Sequence, residues 1–404
     1  MLPRALEGIL ERALGSAPVV VLTGPRQTGK STLVRMERVG AGRSYLTLDD
    51  VDLMDRAQLE PDALLRTREP LTVDEVQRSP ELLLAIKRAV DERREHGRFL
   101  LTGSANLHLM EQVSESLAGR AVHLVLQPFS RREQLGQARV GLWSELFATE
   151  PGDWPQLLSA EPSAPEDWRR LATRGGYPTP AHELKDPEER RLWFGGYTQT
   201  YLERDLREFS AVASLVDFRR LMRAACLRTG NLVNQTELAR DVGLSQPTVH
   251  RHLDLLEISC LLTRLPAFAV NRTKRLMKTP KLYWCDSGLA LYLAGETEPR
   301  GAHLENLVLA DLLAWRGGLV DGPQLTYWRV STGEEVDFVI EWKGRLLPVE
   351  VKAGTRPRLS DAKSLRVFHG EYSDLTLPGL LLHGGDQLSW LTEDVLAVPW
   401  WRVL

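Results

Sequence analysis

A glycine-rich segment near the beginning of the chain carries the residue types that bind phosphate. It reads GPRQTGKS from Gly24 to Ser31 and fits the pattern G-x-x-x-x-G-K-[ST] at every fixed position. Glycines let backbone N–H groups turn inward around phosphates without a Cβ clash, and a helix beginning near Lys30 adds its positive amino terminus. Lys30 is expected to reach the β- and γ-phosphates of ATP, and the Ser31 hydroxyl is expected to bind Mg²⁺. The predicted nucleotide-binding residues are Gly24, Pro25, Arg26, Gln27, Thr28, Gly29, Lys30, Ser31 and Thr32.

An acidic pair 44 residues after Lys30 predicts that the bound ATP is also hydrolysed. The apolar residues Leu71–Val73 indicate a buried strand, and this strand ends in Asp74 and Glu75. At that position Asp74 would hold Mg²⁺ through water, and Glu75 would polarise the attacking water. The alternative is an acidic pair that caps a helix.

A polar side chain after the next strand would sense the γ-phosphate and orient the water. The strand Arg98–Thr102 is followed by Gly103 and Ser104, so Ser104 and Asn106 are the candidates, with Thr102 behind them. The alternative is that these are ordinary turn residues at a strand end.

Arg120 stands at the end of a helical stretch, directly before the apolar run Ala121–Leu126. An arginine at this point can reach the nucleotide of a neighbouring subunit and stabilise charge in the transition state, which requires a homo-oligomer with shared ATP sites. The alternative is a solvated cation at a helix carboxyl terminus. The catalytic candidates are therefore Lys30, Glu75, Ser104 and Arg120.

A second set of charged residues lies near the other end of the sequence. Asp337 lies on one predicted strand, and Glu350 and Lys352 share one face of the next, which is the PD-(D/E)xK arrangement of nucleases. Asp337 and Glu350 would hold a hard divalent ion such as Mg²⁺, Lys352 would orient or deprotonate water, and Glu305 would add a carboxylate from the preceding helix. The alternative is a fold that binds DNA without cutting it. The neighbouring charges Glu334, Glu335 and Lys343 are expected to be solvated.

Residues 235–256 have the spacing of a helix-turn-helix. Gly243 sits where the first helix must stop and turn, Ser245 caps the second helix, and Pro247 falls in its first turn. The second helix can then lie in a major groove. Its predicted exposed face, with groups able to meet phosphates or base edges, carries Gln246, Thr248, His250, Arg251 and His252.

A basic stretch at 271–278 follows this helix pair. Arg272, Lys274 and Arg275 are predicted to contact the DNA backbone from a wing. Winged helices also serve as protein–protein modules or as lid domains inside ATPases, and this alternative stays open. The net charge is −3, so any DNA contact depends on a local patch.

The ordered motifs GPRQTGKST, TVDEVQRSPEL, LLTGSANLHLM, SLAGR and LQPFS, together with RGGYPTP at 174–180 and YLERDL at 201–206, resemble bacterial and archaeal AAA-type ATPases that carry a C-terminal domain of unknown function. The resemblance covers nearly the whole chain. It implies an AAA+-like core, a small helical region with a winged helix, and a C-terminal domain with a nuclease-like fold. In related ATPases a Gly-x-Pro element lies near the adenine, and Gly176-Tyr177-Pro178 matches it, so Pro178 joins the nucleotide-binding candidates.

Strands that alternate with helices imply a parallel sheet covered on both faces. The predicted fold class is α/β: a P-loop NTPase core of the AAA+ type, a helical winged-helix region and a C-terminal α/β nuclease-like domain. The predicted domains are the ATPase core at 1–136, a lid or helical connection at 137–220, the winged helix at 221–300 and the nuclease-like domain at 301–404.

Composition restricts the setting of the protein. The 404 residues are 43% hydrophobic, which suffices for two or three cores, and no apolar run approaches the length that spans a bilayer. The three cysteines, Cys226, Cys260 and Cys285, are far apart and suit neither a disulfide framework nor a metal cluster. We therefore expect a cytoplasmic protein with no membrane partner. The phosphate-binding loop and the acidic pair add ATP and Mg²⁺ as the expected cofactors.

Three functions fit these features. The first is an ATPase that remodels or translocates DNA, including branched DNA. The second is a nucleotide-gated switch that uses the winged helix for regulation or partner capture, as in a toxin-neutralising or defence component. The third is a metal-dependent nuclease that ATP gates.

Overall fold

The computed structural model describes residues 2–103, 117–162, 164–202, 214–270 and 278–404. Its first layer is a five-stranded parallel sheet in the order β2–β3–β4–β1–β5. The strands are β1 (Val19–Thr23), β2 (Ser44–Thr47), β3 (Leu71–Asp74), β4 (Phe99–Thr102) and β5 (Ala121–Val125). The strands β3, β4 and β5 overlap the runs predicted at Leu71–Val73, Arg98–Thr102 and Ala121–Leu126, and the parallel α/β core is confirmed.

Both faces of this sheet are buried, which explains the continuous apolar runs. Successive side chains of a strand point to opposite faces, and β1 sends Val19 and Val21 into one core and Val20 and Leu22 into another. Helices cover both sides. The helices of this unit are Glu7–Ser16, Lys30–Val34, Glu37–Gly40, Val51–Leu59, Pro61–Leu64, Pro80–Glu92 and Arg131–Gln134, with a 3-10 turn at Val76–Arg78.

The middle of the chain is helical and contains one short antiparallel strand pair, β6 (Leu262–Leu265) and β7 (Lys281–Trp284). Its α-helices are Trp143–Ala148, Trp154–Ala160, Trp168–Arg174, Pro187–Tyr197, Leu215–Cys226, Gln235–Val242, Gln246–Ile258 and Ser287–Ala294. A 3-10 turn lies at Pro151–Asp153, and π-helical turns lie at Thr179–Glu183 and Thr198–Leu202.

The helix pair at 235–258 forms where its end signals predict. Asn234 caps the first helix, and Gly243 ends it in the left-handed region at φ 67°. The Ser245 side chain accepts a hydrogen bond from the Thr248 N–H at the start of the second helix. β6 and β7 follow the pair, and residues 271–277, between these strands, lie outside the described ranges.

The last part of the chain is a mixed six-stranded sheet in the order β12–β13–β11–β10–β9–β8. Its strands are β8 (Gln324–Arg329), β9 (Glu335–Trp342), β10 (Arg345–Lys352), β11 (Gly379–His383), β12 (Ser389–Thr392) and β13 (Val395–Pro399). The first three form an antiparallel meander. The accompanying helices are Gly301–Gly317, Lys363–Glu371 and Trp400–Val403, with a 3-10 turn at Leu359–Ala362.

The hydrophobic cores divide the segment predicted as a lid or connection. Trp143, Trp154 and Trp168 pack in one core with the helix Gly301–Gly317 and the C-terminal sheet. Residues from Tyr177 to Tyr197 instead share a core with the helix pair. The segment 137–220 is thus not one unit, because its tryptophans need the large apolar surface that the C-terminal sheet supplies.

Among the described residues, no helix has both the length and the apolar character needed to cross a membrane.

Candidate active site

The phosphate-binding loop leaves the carboxyl end of β1 in a conformation that only particular residues adopt. Gly24 has φ 143°, and a Cβ there would lie 2.4 Å from the backbone oxygen of Leu126. Gln27 and Gly29 also have positive φ, at 60° and 91°. This backbone turns back on itself and ends at the helix Lys30–Val34, as a loop that cradles phosphates must.

Lys30 is buried beneath this loop. Its Nζ donates hydrogen bonds to the Gly24 oxygen at 3.1 Å and to the Pro25 oxygen at 2.8 Å. Burial lowers the pKa of Lys30 to about 8, while the nearby Glu75 and Asp74 act to raise it. An ammonium that is held by carbonyl groups can exchange them for phosphate oxygens, so the side chain fits its predicted role.

The remaining loop residues take different positions. Thr28 is buried and donates from its hydroxyl to the Pro25 oxygen at 2.9 Å, which closes the loop on itself. Arg26 and Ser31 are half-buried, and Gln27 and Thr32 are exposed.

Asp74 ends β3 and is fixed by two hydroxyl groups. Tyr45, on the neighbouring β2, donates to Asp74 Oδ2 at 2.6 Å. Thr102, at the end of β4, donates to Oδ1. Because the carboxyl ends of parallel strands meet at one edge of a sheet, three strands build this site together. Burial and the hydrogen bond to Asp74 raise the pKa of Tyr45, so its phenol remains a donor. The sequence analysis missed Tyr45, because its partner Asp74 lies on another strand.

Glu75 follows in a left-handed conformation, with φ 57° and ψ 40°. For a residue other than glycine or asparagine this conformation is strained, and such strain is found most often at functional sites. The Gln77 amide donates to Glu75 Oε2 and thereby orients the carboxylate. The structure therefore brings Lys30, Asp74, Glu75 and Thr102 to one edge of the sheet.

A cavity of about 160 Å³ adjoins the phosphate-binding loop at Thr28 and Gly29. Pro178 lines this cavity, and a Cβ on Gly29 would be 3.9 Å from the Pro178 ring. The walls combine apolar and polar side chains, as a base-binding pocket requires. The lining residues include Leu2, Arg4, Thr28, Gly29, Thr32, Leu33, Met36, Phe129, Pro178 and His182.

Arg4 is a site residue that no sequence motif indicates. Its guanidinium donates to the backbone oxygens of Thr28 at 2.8 Å and Gln127 at 2.5 Å, pairs with Glu133 at 3.0 Å, and lies over the Phe129 ring. Arg4 thus fixes the loop from the side of the cavity. Only the tertiary structure shows this, because its partners lie far along the chain.

Asp286 anchors the segment that carries Pro178. Its carboxylate accepts the Gly176 N–H at 2.5 Å and the Leu289 N–H at 2.7 Å, so it also caps the helix Ser287–Ala294. A Cβ on Gly175, where φ is 72°, would lie 2.6 Å from this carboxylate. Burial raises the pKa of Asp286 to about 6, although backbone N–H donors such as that of Gly176 act to lower it.

One predicted catalytic residue, Arg120, is not part of this arrangement. Arg120 lies before β5, at the sheet edge opposite the phosphate-binding loop, and forms a two-point pair with Asp91 at 2.5 and 2.9 Å. Any contact of Arg120 with ATP therefore requires a neighbouring subunit. Ser104 and Asn106 lie outside the described residues.

The second helix of the pair presents part of the predicted DNA face. Gln246, His250 and Arg251 are exposed, and His250 lies 3.3 Å from Asp254. The Thr248 hydroxyl is within 2.8 Å of the Ser245 hydroxyl, so it belongs to the helix cap. His252 does not belong to the exposed face: it is buried, with its ring 4.9 Å from that of Phe218. Arg272, Lys274 and Arg275 lie outside the described residues.

The four residues of the nuclease-like set do come together. Lys352 Nζ is 2.5 Å from Glu350 Oε1, and Asp337 Oδ2 accepts the Val351 N–H at 3.0 Å. A fifth residue, Lys281 of β7, donates to Asp337 Oδ1 at 2.9 Å and lies 3.8 Å from Glu305. Burial raises the pKa of both Glu305 and Glu350.

This arrangement does not fit the predicted Mg²⁺ ion. The Lys281 ammonium stands against Asp337, the carboxylate predicted to bind the ion. With Lys281 in this place, no group of three metal-binding side chains is arranged to hold an ion in the described ranges. Glu335 was predicted to be a solvated charge, but it pairs with Lys281 at 2.5 Å.

Three family models match successive parts of the chain. A family model described as "AAA domain" matches residues 16–135. Two domains of unknown function follow, DUF8612 at 165–300 and DUF4143 at 300–403.

Solved structures show weaker likeness. The Walker-type ATPase PABY2304 of Pyrococcus abyssi is 15% identical, with 72% of this chain and 96% of that chain covered and a TM-score of 0.46. For AMPPCP-bound DnaA from Aquifex aeolicus the identity is 12%, the coverage 62% and 86%, and the TM-score 0.26.

Relatives in sequence are similar to this chain over most of its length. "Uncharacterized protein" of Haemophilus influenzae is 22% identical over 386 residues, which covers 89% of each chain. "Uncharacterized protein Rv2008c" of Mycobacterium tuberculosis is 32% identical over 401 residues, which covers 96% of this chain and 82% of the relative. The chain therefore belongs to the family of the Mycobacterium tuberculosis protein, and its first domain is an AAA-type P-loop ATPase domain.

Proposed function

We propose that this protein hydrolyses ATP with Mg²⁺ and uses the cycle to act on DNA through its helix pair. The observation that carries the ATPase part is the meeting of Lys30, Asp74 and Glu75 at one sheet edge, next to a cavity that can take a base. The DNA part rests on the exposed second helix and the strand pair after it, which have the order of a winged helix.

The residues divide the chemistry among themselves. Lys30 gives up the Gly24 and Pro25 oxygens and binds phosphate oxygens instead. The Ser31 hydroxyl and Asp74 would hold Mg²⁺, which would supply positive charge beside the phosphates. Glu75, oriented by Gln77, polarises the attacking water.

Variants of the ATP site test the hydrolytic assignment. Lys30→Ala should lose ATP binding, because Lys30 carries the ammonium that can exchange the Gly24 and Pro25 oxygens for phosphate oxygens. Glu75→Gln should keep ATP binding and lose turnover by about 100-fold or more, because the amide does not accept a proton. ATP binding is measured by calorimetry and turnover by phosphate release. Full turnover in Glu75→Gln would show that another group activates the water.

An ATPase assay with single-stranded, duplex and four-way DNA tests the DNA role. We expect DNA to raise turnover, and Arg251→Ala to weaken DNA binding with a reduced dependence on salt. Arg240→Ala is the matched control, because Arg240 is exposed on the first helix, outside the predicted DNA face. Equal loss in both variants, or DNA binding that does not depend on salt, contradicts this contact.

The structure also favours a second candidate, a nucleotide-gated switch that binds a partner through the winged helix. Arg4 joins the phosphate-binding loop to Glu133, and the helix of Glu133 is bonded to the end of the chain through Arg131. The switch is favoured if ATP turnover is the same with and without every form of DNA, while ATP binding still alters the conformation of the C-terminal part.

A further inference from the structure

Lys281 occupies an unusual place for a lysine, since its side chain is 2% exposed and surrounded by carboxylates. It belongs to β7, the second strand after the helix pair, while its partners belong to the C-terminal part of the chain. Nζ is 2.5 Å from Glu335 Oε1, 2.9 Å from Asp337 Oδ1 and 3.8 Å from Glu305 Oε2. These contacts join elements that are far apart in the sequence.

The number of partners matches the chemistry of the ammonium group. It has three N–H donors and no acceptor, and three carboxylates lie around it. Although burial acts to lower it, Asp337, Glu305 and Glu335 raise the pKa of Lys281 above its ordinary value, so the group is positively charged. A divalent ion between the same carboxylates would meet this charge at close range, so ammonium and metal exclude each other.

Glu350 shows that the surroundings still have the properties of a cation site. Its Oε1 pairs with Lys352, while its Oε2 is buried and has no hydrogen-bond partner among the described residues. A buried carboxylate oxygen without a partner is costly unless a cation or proton compensates it. Asp337, the residue that Lys281 neutralises, is near enough to act electrostatically on the Glu350 carboxylate.

We infer that Lys281 takes the place of the divalent cation in this nuclease-like domain and so holds β7 on the C-terminal sheet. The domain then keeps the acidic residues of a metal site but does not bind a metal while Lys281 is seated. The positive charge serves to attach the strand pair, rather than to activate water.

Binding of Mn²⁺ to the full chain without nucleotide tests this inference, measured by electron paramagnetic resonance of free Mn²⁺. Wild type should bind no Mn²⁺ at this site. Lys281→Ala should gain one ion per chain, with affinity at least about tenfold tighter than wild type, because the carboxylates lose their cation. Lys281→Ala with Asp337→Asn should lose the gained ion. Lys363→Ala is the matched control, since Lys363 pairs with Glu334 at 2.9 Å on the surface and should gain nothing.

If Lys281→Ala is too unstable for the binding measurement, the melting temperature with and without Mn²⁺ tests the same inference. Mn²⁺ should then raise the melting temperature of Lys281→Ala and leave those of wild type and Lys363→Ala unchanged. The inference would be overturned by an ion that wild type binds and Asp337→Asn loses, or by a folded Lys281→Ala that neither binds Mn²⁺ nor is stabilised by it. DNA cutting by wild type that requires Mn²⁺ and Asp337 would also overturn it.

Discussion

Single residues in the candidate ATP site are held by neutral hydrogen-bond partners. Lys30 is bound to carbonyl oxygens, Glu75 to the Gln77 amide, and Asp74 to two hydroxyl groups. Each is satisfied by neutral partners, so each can take a charged or metal-bound partner without leaving another charge unpaired. The site is thus ready for its ligand, and the cost of reorganisation is a few neutral hydrogen bonds.

The lowered pKa of Lys30 makes ATP binding dependent on pH. Because this pKa is about 8 in the free protein, Lys30 loses its proton between pH 8 and 9, while ATP binds best to the protonated form. We expect the affinity for ATP to be constant below pH 7.5 and to fall by up to about tenfold per unit above pH 8. Calorimetry in buffers between pH 7 and 9.5 measures this fall.

Lys30→Arg is the control for this dependence, since its guanidinium stays charged throughout the range. Its affinity, weaker or not, should not change with pH. An unchanged wild-type affinity at pH 9.5 would mean that the ammonium keeps its proton.

The elements show what the sequence can and cannot predict. The strands of the ATPase sheet and the helix pair were predicted because local features determine them: apolar runs bounded by Gly and Pro, and the caps at Gly243 and Ser245. The burial of His252 was not predicted, because the Phe218 that covers it comes from another helix.

The same reason applies to the candidate sites. The phosphate-binding loop and the Asp74–Glu75 pair are continuous motifs, so their residues could be named from the sequence. Tyr45, Arg4 and Lys281 reach their partners only through tertiary contacts, and no local pattern marks them. Lys281 changes the interpretation of a motif that the sequence does contain, because it brings a cation to the predicted metal site.

Asp286 links one of these elements to the ATP site. Asp286→Ala should remove the cap of the helix Ser287–Ala294 and leave the buried Gly176 N–H without its partner. We expect the free energy of unfolding to fall by about 2–4 kcal/mol and ATP to bind more weakly, because Pro178 loses its support. Chemical denaturation and calorimetry measure the two effects.

Asp167→Ala is the matched control, because Asp167 caps the helix Trp168–Arg174 with a side chain that is partly exposed. It should cost about 1 kcal/mol and leave the affinity for ATP unchanged. If Asp286→Ala binds ATP as tightly as Asp167→Ala, the segment with Pro178 does not contribute to the binding of the base.

For the molecule as a whole, a continuous series of buried contacts connects the ATP site with the end of the chain. Arg4 bonds the Thr28 oxygen and Glu133, and Glu133 lies in the four-residue helix Arg131–Gln134. From the same helix Arg131 donates to the oxygens of Trp401 and Leu404, at 3.1 and 3.0 Å. The helix Arg131–Gln134 therefore bonds both to the phosphate-binding loop, through Arg4, and to the last residues of the C-terminal part.

Such a series transmits a change only if ATP alters one of its contacts, and the bond from Arg4 to the loop is the contact that ATP would alter. We expect ATP to slow amide hydrogen exchange in the helix Trp400–Val403 of wild type by about tenfold, which is a coupling of about 1.4 kcal/mol. In Glu133→Gln the charge that holds Arg4 is lost, so ATP should still bind and the slowing should disappear. Arg38→Ala, which removes an exposed pair with Glu11, should keep the slowing. If ATP slows exchange equally in Glu133→Gln and Arg38→Ala, the two parts communicate by another route or not at all.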